Sequence, residues 1–245
     1  MDASAQTAPD ARVTDALQSY DRLLARHVRT GSDGVARVAY AAWKASPADL
    51  AALDRVVEAL AGQTVSRLAR PAQFCTWVNL YNAITLKVVL ARFPVRSIRD
   101  IRPNPLVPGP WGAPQVTVEG RRYSLDDIEH RTLRRSWREP RVHYAVNCAS
   151  IGCPNLMARA WRPATLEADL SAAARAYVNH PRGVRVDGQG RIRVSSIYHW
   201  FKEDFGGTDA GVLAHLRAHA GADLARRLQG DRIAGHDYDW SINAV

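Results

Sequence analysis

Cysteine is scarce in this chain: Cys75, Cys148 and Cys153 are the three in 245 residues. Three thiols cannot build the disulfide framework of a small secreted module, so the fold must rest on a hydrophobic core. No run of about 18 apolar residues occurs, which gives no reason to expect a membrane span. Lysine is nearly absent, with Lys44, Lys87 and Lys202 among 33 basic side chains, so the formal charge of +9 is carried by arginine. Those arginines are scattered and form no stripe interleaved with aromatics. A nucleic-acid-binding face is therefore not expected despite the high pI. Internal repeats and low-complexity tracts are missing too. The N-terminus has neither a basic n-region nor an apolar h-region. Its short, polar, Ala/Ser-rich start reads as a mature N-terminus with a methionine added. The expected location is the periplasm or outside the cell, with the cytoplasm as the alternative.

What is present suits a globular domain: 47% of residues are hydrophobic and 23% charged, enough for a sizeable core. Residues 1–12 read as a flexible tail and 13–245 as one domain. Leu17, Tyr20, Leu23 and Leu24 share a helical face over Asp15 to His27. Gly31-Ser32-Asp33-Gly34 is a turn before a short extended piece, and Ser46 caps a helix opened by Pro47. A helix from Pro71 to before Pro94 is apolar almost all round, which places it at the centre of the core. Five prolines between Arg102 and Pro114 make a long loop. Strands follow from Gln115 to Val118 and from Arg121 to Tyr123. Ser124 then caps a helix over Leu125 to Arg135, with Asp126 and Asp127 in its first turn. Arg141 to Cys148 reads as a buried strand, and Pro154 as the first residue of a helix. Val184–Val186 and Arg191–Val194 form a hairpin across Asp187-Gly188-Gln189-Gly190. This irregular mixture indicates α+β, with helices packed around a small mixed or antiparallel sheet.

The chemistry concentrates in His143-Tyr144-Ala145-Val146-Asn147-Cys148-Ala149-Ser150-Ile151-Gly152-Cys153-Pro154. Placed at the start of a helix, Cys153 gains unsatisfied N–H groups and the positive end of the dipole, which stabilise a thiolate. It is the candidate nucleophile, with the same N–H groups as an oxyanion hole. His143 and His130 are the candidate bases, and Asn82 or Glu129 the residue that orients one of them. Gly152 permits close approach of a substrate to the backbone. Asn79, Asn82 and Tyr81 on the apolar helix, with Asn147, Cys148 and Ser150 and with Trp111 in the proline-rich stretch, are the candidate substrate-binding residues. Asn79 and Asn82 share a helical face, and clamping a neighbouring backbone is the favoured alternative use for them. A structural or redox disulfide between Cys148 and Cys153 competes with catalysis. A metal site on His143, Cys148 and Cys153 is weaker, because the spacing is not that of a zinc module. The aromatic runs Trp200 to Phe205 and Tyr238 to Asn243 read as packing.

Several segments together resemble the DUF547 family: Trp77 to Ala83, Ser97 to Ile101, Ser124 to His130, His143 to Pro154, Trp200-Phe201 with Asp204-Phe205, and Tyr238 to Trp240. The resemblance covers about residues 30 to 245, and its pattern includes the His143, Cys148 and Cys153 positions. Cys75 and Thr76 stand where that pattern usually has a small residue and then Phe, so Cys75 is incidental. The family is one of unknown function and is distantly similar to papain-like and transglutaminase-like cysteine enzymes. That likeness is one of fold; the constellation around Cys153 is what points to a cysteine-dependent hydrolase or acyltransferase acting on an amide, ester or thioester, with a small-molecule or peptide-like substrate and no cofactor or metal. The alternative is a non-catalytic ligand- or partner-binding module.

Overall fold

The computed structural model describes residues 10–104, 106–230 and 232–245. Most of the expected N-terminal tail lies outside the described residues. The described chain begins in a cap, Asp10, whose side chain accepts from the Arg12 N–H at the start of α1 (Ala11–His27). A small antiparallel pair, β1 (Val28–Thr30) and β2 (Ala36–Val38), follows across the Gly31–Gly34 turn. Next come α2 (Tyr40–Lys44) and α3 (Pro47–Ala61), the latter capped by Ser46 as its sequence requires.

Helix α4 (Arg70–Arg92) forms the axis of the molecule. By length and composition it is apolar enough to cross a membrane. In this fold that character serves burial instead: Phe74 through Leu86 are all buried, surrounded by α1, α3 and the segments that follow. The proline-rich loop leads to the hairpin β3 (Val116–Val118) and β4 (Arg121–Tyr123). Ser124 and Asp127 then cap each other. The Ser124 hydroxyl accepts from the Asp127 N–H at 3.1 Å, and the Asp127 carboxylate accepts from the Ser124 N–H at 3.0 Å. The helix so begun widens into a π-helix over Asp127–Arg134 before ending as α5 (Arg135–Trp137). π-Helical turns are rare and concentrate at functional sites.

The structure departs from the sequence expectations at two places near the cysteines. His143 to Ala145 are not in a strand but in a single helical turn, α6 (Val142–Ala145). Four buried residues are too few for periodicity to separate the two. Pro154 does not start a helix either. Residues 154–160 are irregular, and α7 (Leu166–Val178) begins only after a 3-10 turn at Pro163–Thr165. Cys153 therefore has no helix dipole behind it.

The C-terminal part adds β5 (Val184–Val186) and β6 (Ile192–Ser195), the expected antiparallel hairpin, then α8 (Ile197–Trp200), α9 (Asp209–His219) and α10 (Ala222–Arg227). Strand β7 (Ile233–Asp237) returns parallel to β6 and makes this sheet mixed. The fold is α+β as expected, but its strands form three small sheets rather than one. A second apolar cluster, including Tyr177, Tyr198, Phe205 and Leu213, fills the space between α7, α9 and this last sheet.

After β7 the chain laces the parts together. The Asp239 and Ser241 carbonyls accept from Gly152 and Ile151 N–H, each at 2.8 Å, and Asn243 joins Ala149 to β2. The loop that carries the cysteines is thus built from both halves of the chain.

Candidate functional site

The cysteine loop is held by buried amides. Asn82, on α4, donates to the Ala145 carbonyl at 2.9 Å and accepts from the Asn147 N–H at 2.8 Å. Asn79, one turn earlier, grips both backbone groups of Trp161 in the same way. Asn147 donates to the Pro154 carbonyl at 2.7 Å and accepts from the Ala149 N–H at 2.9 Å. All three amides are spent on backbone, so the expectation that they bind substrate, or that Asn82 orients a histidine, is replaced by a clamping role. Replacing Asn82 by alanine strands a buried carbonyl and a buried N–H. It should cost about 2–4 kcal/mol, read from urea unfolding.

Arg182 completes the frame, donating to the Ile151 and Cys153 carbonyls at 2.8 Å each, while the Tyr177 hydroxyl donates to the Gly152 carbonyl at 2.6 Å. Immediately after Cys148, Ala149 sits in the left-handed region at φ 61°. A side chain there costs about 1 kcal/mol or more, and residues so held cluster at functional turns.

The two cysteines sit in different surroundings. Cys153 is buried and its sulfur accepts from the Cys148 N–H at 3.1 Å. Burial, then hydrogen bonding to Cys148, pushes its thiol far up, so it keeps its proton. Cys148 is half-buried and lines a pocket of about 170 Å³. Its Sγ lies 3.1 Å from the Ser150 hydroxyl and 3.1 Å from the Tyr238 hydroxyl, which are themselves 2.8 Å apart. The Cys153 thiol first, then Ser150 and Tyr238, hydrogen-bond the Cys148 sulfur; against burial, they bring its thiol down to about 7. Burial and then the neighbouring sulfur charge raise the Tyr238 phenol, which stays an O–H donor. All three cysteines are free, so the expected disulfide alternative is not formed here.

The N–H groups expected to form an oxyanion hole are occupied. Those of Cys148, Ala149, Ile151, Gly152 and Cys153 bond to the Cys153 sulfur, Asn147, Ser241, Asp239 and Ser150 respectively. Gly152 is needed for a different approach from the one expected. A Cβ there would stand 2.8 Å from the Asp239 nitrogen and 3.0 Å from the Tyr238 ring. The close neighbour is this chain's own C-terminal segment.

His143 is buried between two acids. Its Nε2 donates to Asp204 at 2.7 Å, its Nδ1 faces Glu129 at 3.7 Å, and its ring stacks on Phe201 at 4.2 Å. Asp204 also receives Arg134 at 2.5 Å. Burial alone would raise the Asp204 carboxyl, but hydrogen bonds from His143 and Arg134 hold it down at about 2. Because the folded carboxyl is the more acidic one, its stabilisation is complete above about pH 4 and is lost as pH falls toward 2. Asp204→Asn should lower the melting temperature at neutral pH by the equivalent of about 1–2 kcal/mol and flatten this acid limb, measured by thermal melts across pH.

His130 accepts from Arg134 at Nδ1 (3.2 Å) and faces Asp126 with Nε2 (3.5 Å). Of the expected site residues, Glu129, His130, His143, Cys148, Cys153, Tyr81 and Trp111 line one pocket. Ser150 reaches it through the Cys148 sulfur. Asp204, Tyr238, Trp200 and Trp240 were missed as site residues, though each stands in an aromatic run whose acid or phenol is more polar than packing requires. Among the described residues, no three His, Cys, Asp or Glu side chains converge to hold a metal.

The arrangement defines an α+β protein with a free thiol in an aromatic-walled pocket. Residues 65–178 match the model of family DUF547, described as a protein of unknown function, in support of membership in that family. That span contains α4, the π-helix and both cysteines of the loop. No significant match is found to a curated protein or to a solved structure.

Proposed function

We propose that the pocket is a thiol acyl-transfer site, in which Cys148 attacks the carbonyl of an amide, ester or thioester. The observation that carries this reading is the Cys148 sulfur, open to the pocket and held by two hydroxyls at 3.1 Å each. A sulfur lone pair forms the C–S bond while the carbonyl π pair moves to oxygen. As charge leaves the sulfur, the Ser150 and Tyr238 protons become free to turn toward the new oxyanion, so the charge keeps its donors as it moves. Collapse expels the leaving group, as a thiolate from a thioester or with a proton from solvent from an amide or ester. Water or an acceptor nucleophile, giving its proton to solvent, then releases the acyl group and returns the sulfur. Cys153 acts as a positioning residue, and His143 fixes the wall between Glu129 and Asp204. The resemblance to papain-like and transglutaminase-like enzymes enters as analogy in the type of nucleophile.

Incubation with a small thioester should leave an acyl group on Cys148, located by peptide mass spectrometry. Acylation spread evenly over the three cysteines, or absent, would sink the proposal. A second reading, a redox pair, is favoured by the Cys148 N–H on the Cys153 sulfur. It requires a peroxide-class oxidant to yield an internal disulfide, visible as the loss of two hydrogens in the intact mass.

A further inference from the structure

The walls of the pocket share one chemical character. Trp111, carried by the proline-rich loop, meets Trp240 edge-on at 5.8 Å. Trp200 packs on Trp240 at 5.4 Å and on Tyr238 at 4.9 Å, yet remains 44% exposed. An exposed tryptophan resting on other rings is a wall rather than core. The charge at the site also runs against the rest of the molecule. The chain has 33 Lys and Arg and a net charge of +9. None of them lines this pocket, whereas Asp126 and Glu129 do. Guanidiniums beside it are already engaged: Arg134 by Asp204 and over Phe201, Arg182 by the Ile151 and Cys153 carbonyls, and Arg99 over the Trp240 ring at 5.3 Å. These same rings thus already attract cations within the fold.

We propose that this pocket takes a cationic ammonium group, primary or N-methylated, against its aromatic wall and with Asp126 as counter-charge. The group defines the substrate class for the acyl chemistry proposed above, on which this inference rests: an amine-bearing acyl donor or acceptor. Aromatic faces attract cations through the ring quadrupole, and quaternary ammoniums are held in cages of this kind. A space of about 170 Å³ admits one side-chain-sized arm rather than a drug-sized ligand.

The test uses choline and its neutral isostere 3,3-dimethylbutan-1-ol, each titrated at fixed ionic strength against the rate of Cys148 alkylation by iodoacetamide in the full chain. Choline should protect saturably, at a concentration about tenfold or more below that of the alcohol. Trp200→Ala and Asp126→Asn should each raise the protecting concentration of choline without raising that of the alcohol. Equal protection by both compounds would mean an apolar pocket and would overturn the inference, as would no protection by choline. The alkylation rate without ligand is read separately. Its failure to exceed that of Cys75 would sink the thiol reading, while choline binding followed by tryptophan fluorescence would still decide this one.

Discussion

Replacement of Cys148 by serine is expected to remove fast alkylation from this protein, while replacement of Cys153 by serine retains it. At pH 7 a thiol lowered to about 7 is half ionised, against about 1% for one at the ordinary 9, a gain of roughly 50-fold in thiolate. A less basic thiolate is also a weaker nucleophile, which takes back roughly tenfold of that gain. The net advantage over an ordinary exposed thiol is thus only about fivefold. The contrast with the other two cysteines is far larger. Burial pushes Cys75 up to about 12, and Cys153, although it touches the pocket, is buried and keeps its proton. The labelling rate should therefore fall on the order of 100-fold or more in Cys148→Ser. Cys153→Ser keeps a hydrogen-bond donor beside Cys148 and should slow it by less than about tenfold. Peptide-level mass spectrometry after timed quenching reads both.

Gly152→Ala carries the second large effect, because it acts on the sulfur without touching it. The added Cβ would meet the Asp239 nitrogen at 2.8 Å, the Asp239 oxygen at 2.9 Å and the Tyr238 ring at 3.0 Å. Two of these are backbone atoms that cannot rotate away. The neighbouring Ile151 N–H bonds to the Ser241 carbonyl and fixes the approach of the two segments. Relief requires the Tyr238–Ser241 stretch to shift, at a cost of about 2–3 kcal/mol. That shift draws the Tyr238 hydroxyl from Cys148 and should move the midpoint of Cys148 alkylation upward by about one pH unit. Urea unfolding gives the first number and the alkylation profile the second. A loss of stability with an unchanged midpoint would show that the C-terminal segment does not tune the thiol.

Much of the scaffold was legible in the residues because local rules set it. Ser46 and Ser124 mark helix starts by their own hydrogen bonds, α4 shows its central burial by being apolar on every side, and the Asp187–Gly190 turn dictates its hairpin. The cysteine loop was less legible because distant partners overrule local signals. Proline permits a helix at residue 154, but Asn147 takes the Pro154 carbonyl and Arg182 the Cys153 carbonyl, which leaves the segment irregular. The Cys148 sulfur is also held by Tyr238, 90 residues further along the chain. Spacing within the loop carries no trace of that contact. The same holds for His143, whose partner Asp204 comes from a run that reads as packing.

The proposed chemistry requires the Cys148 sulfur to ionise more readily than an ordinary thiol. The rate of iodoacetamide alkylation at Cys148 in the unmodified chain, followed residue by residue from pH 5 to 10, tests it most directly. A single titration with its midpoint about 7, and Cys148 the fastest of the three thiols throughout the neutral range, is the expected result. A midpoint near the ordinary thiol value, or faster reaction at Cys153, would contradict it.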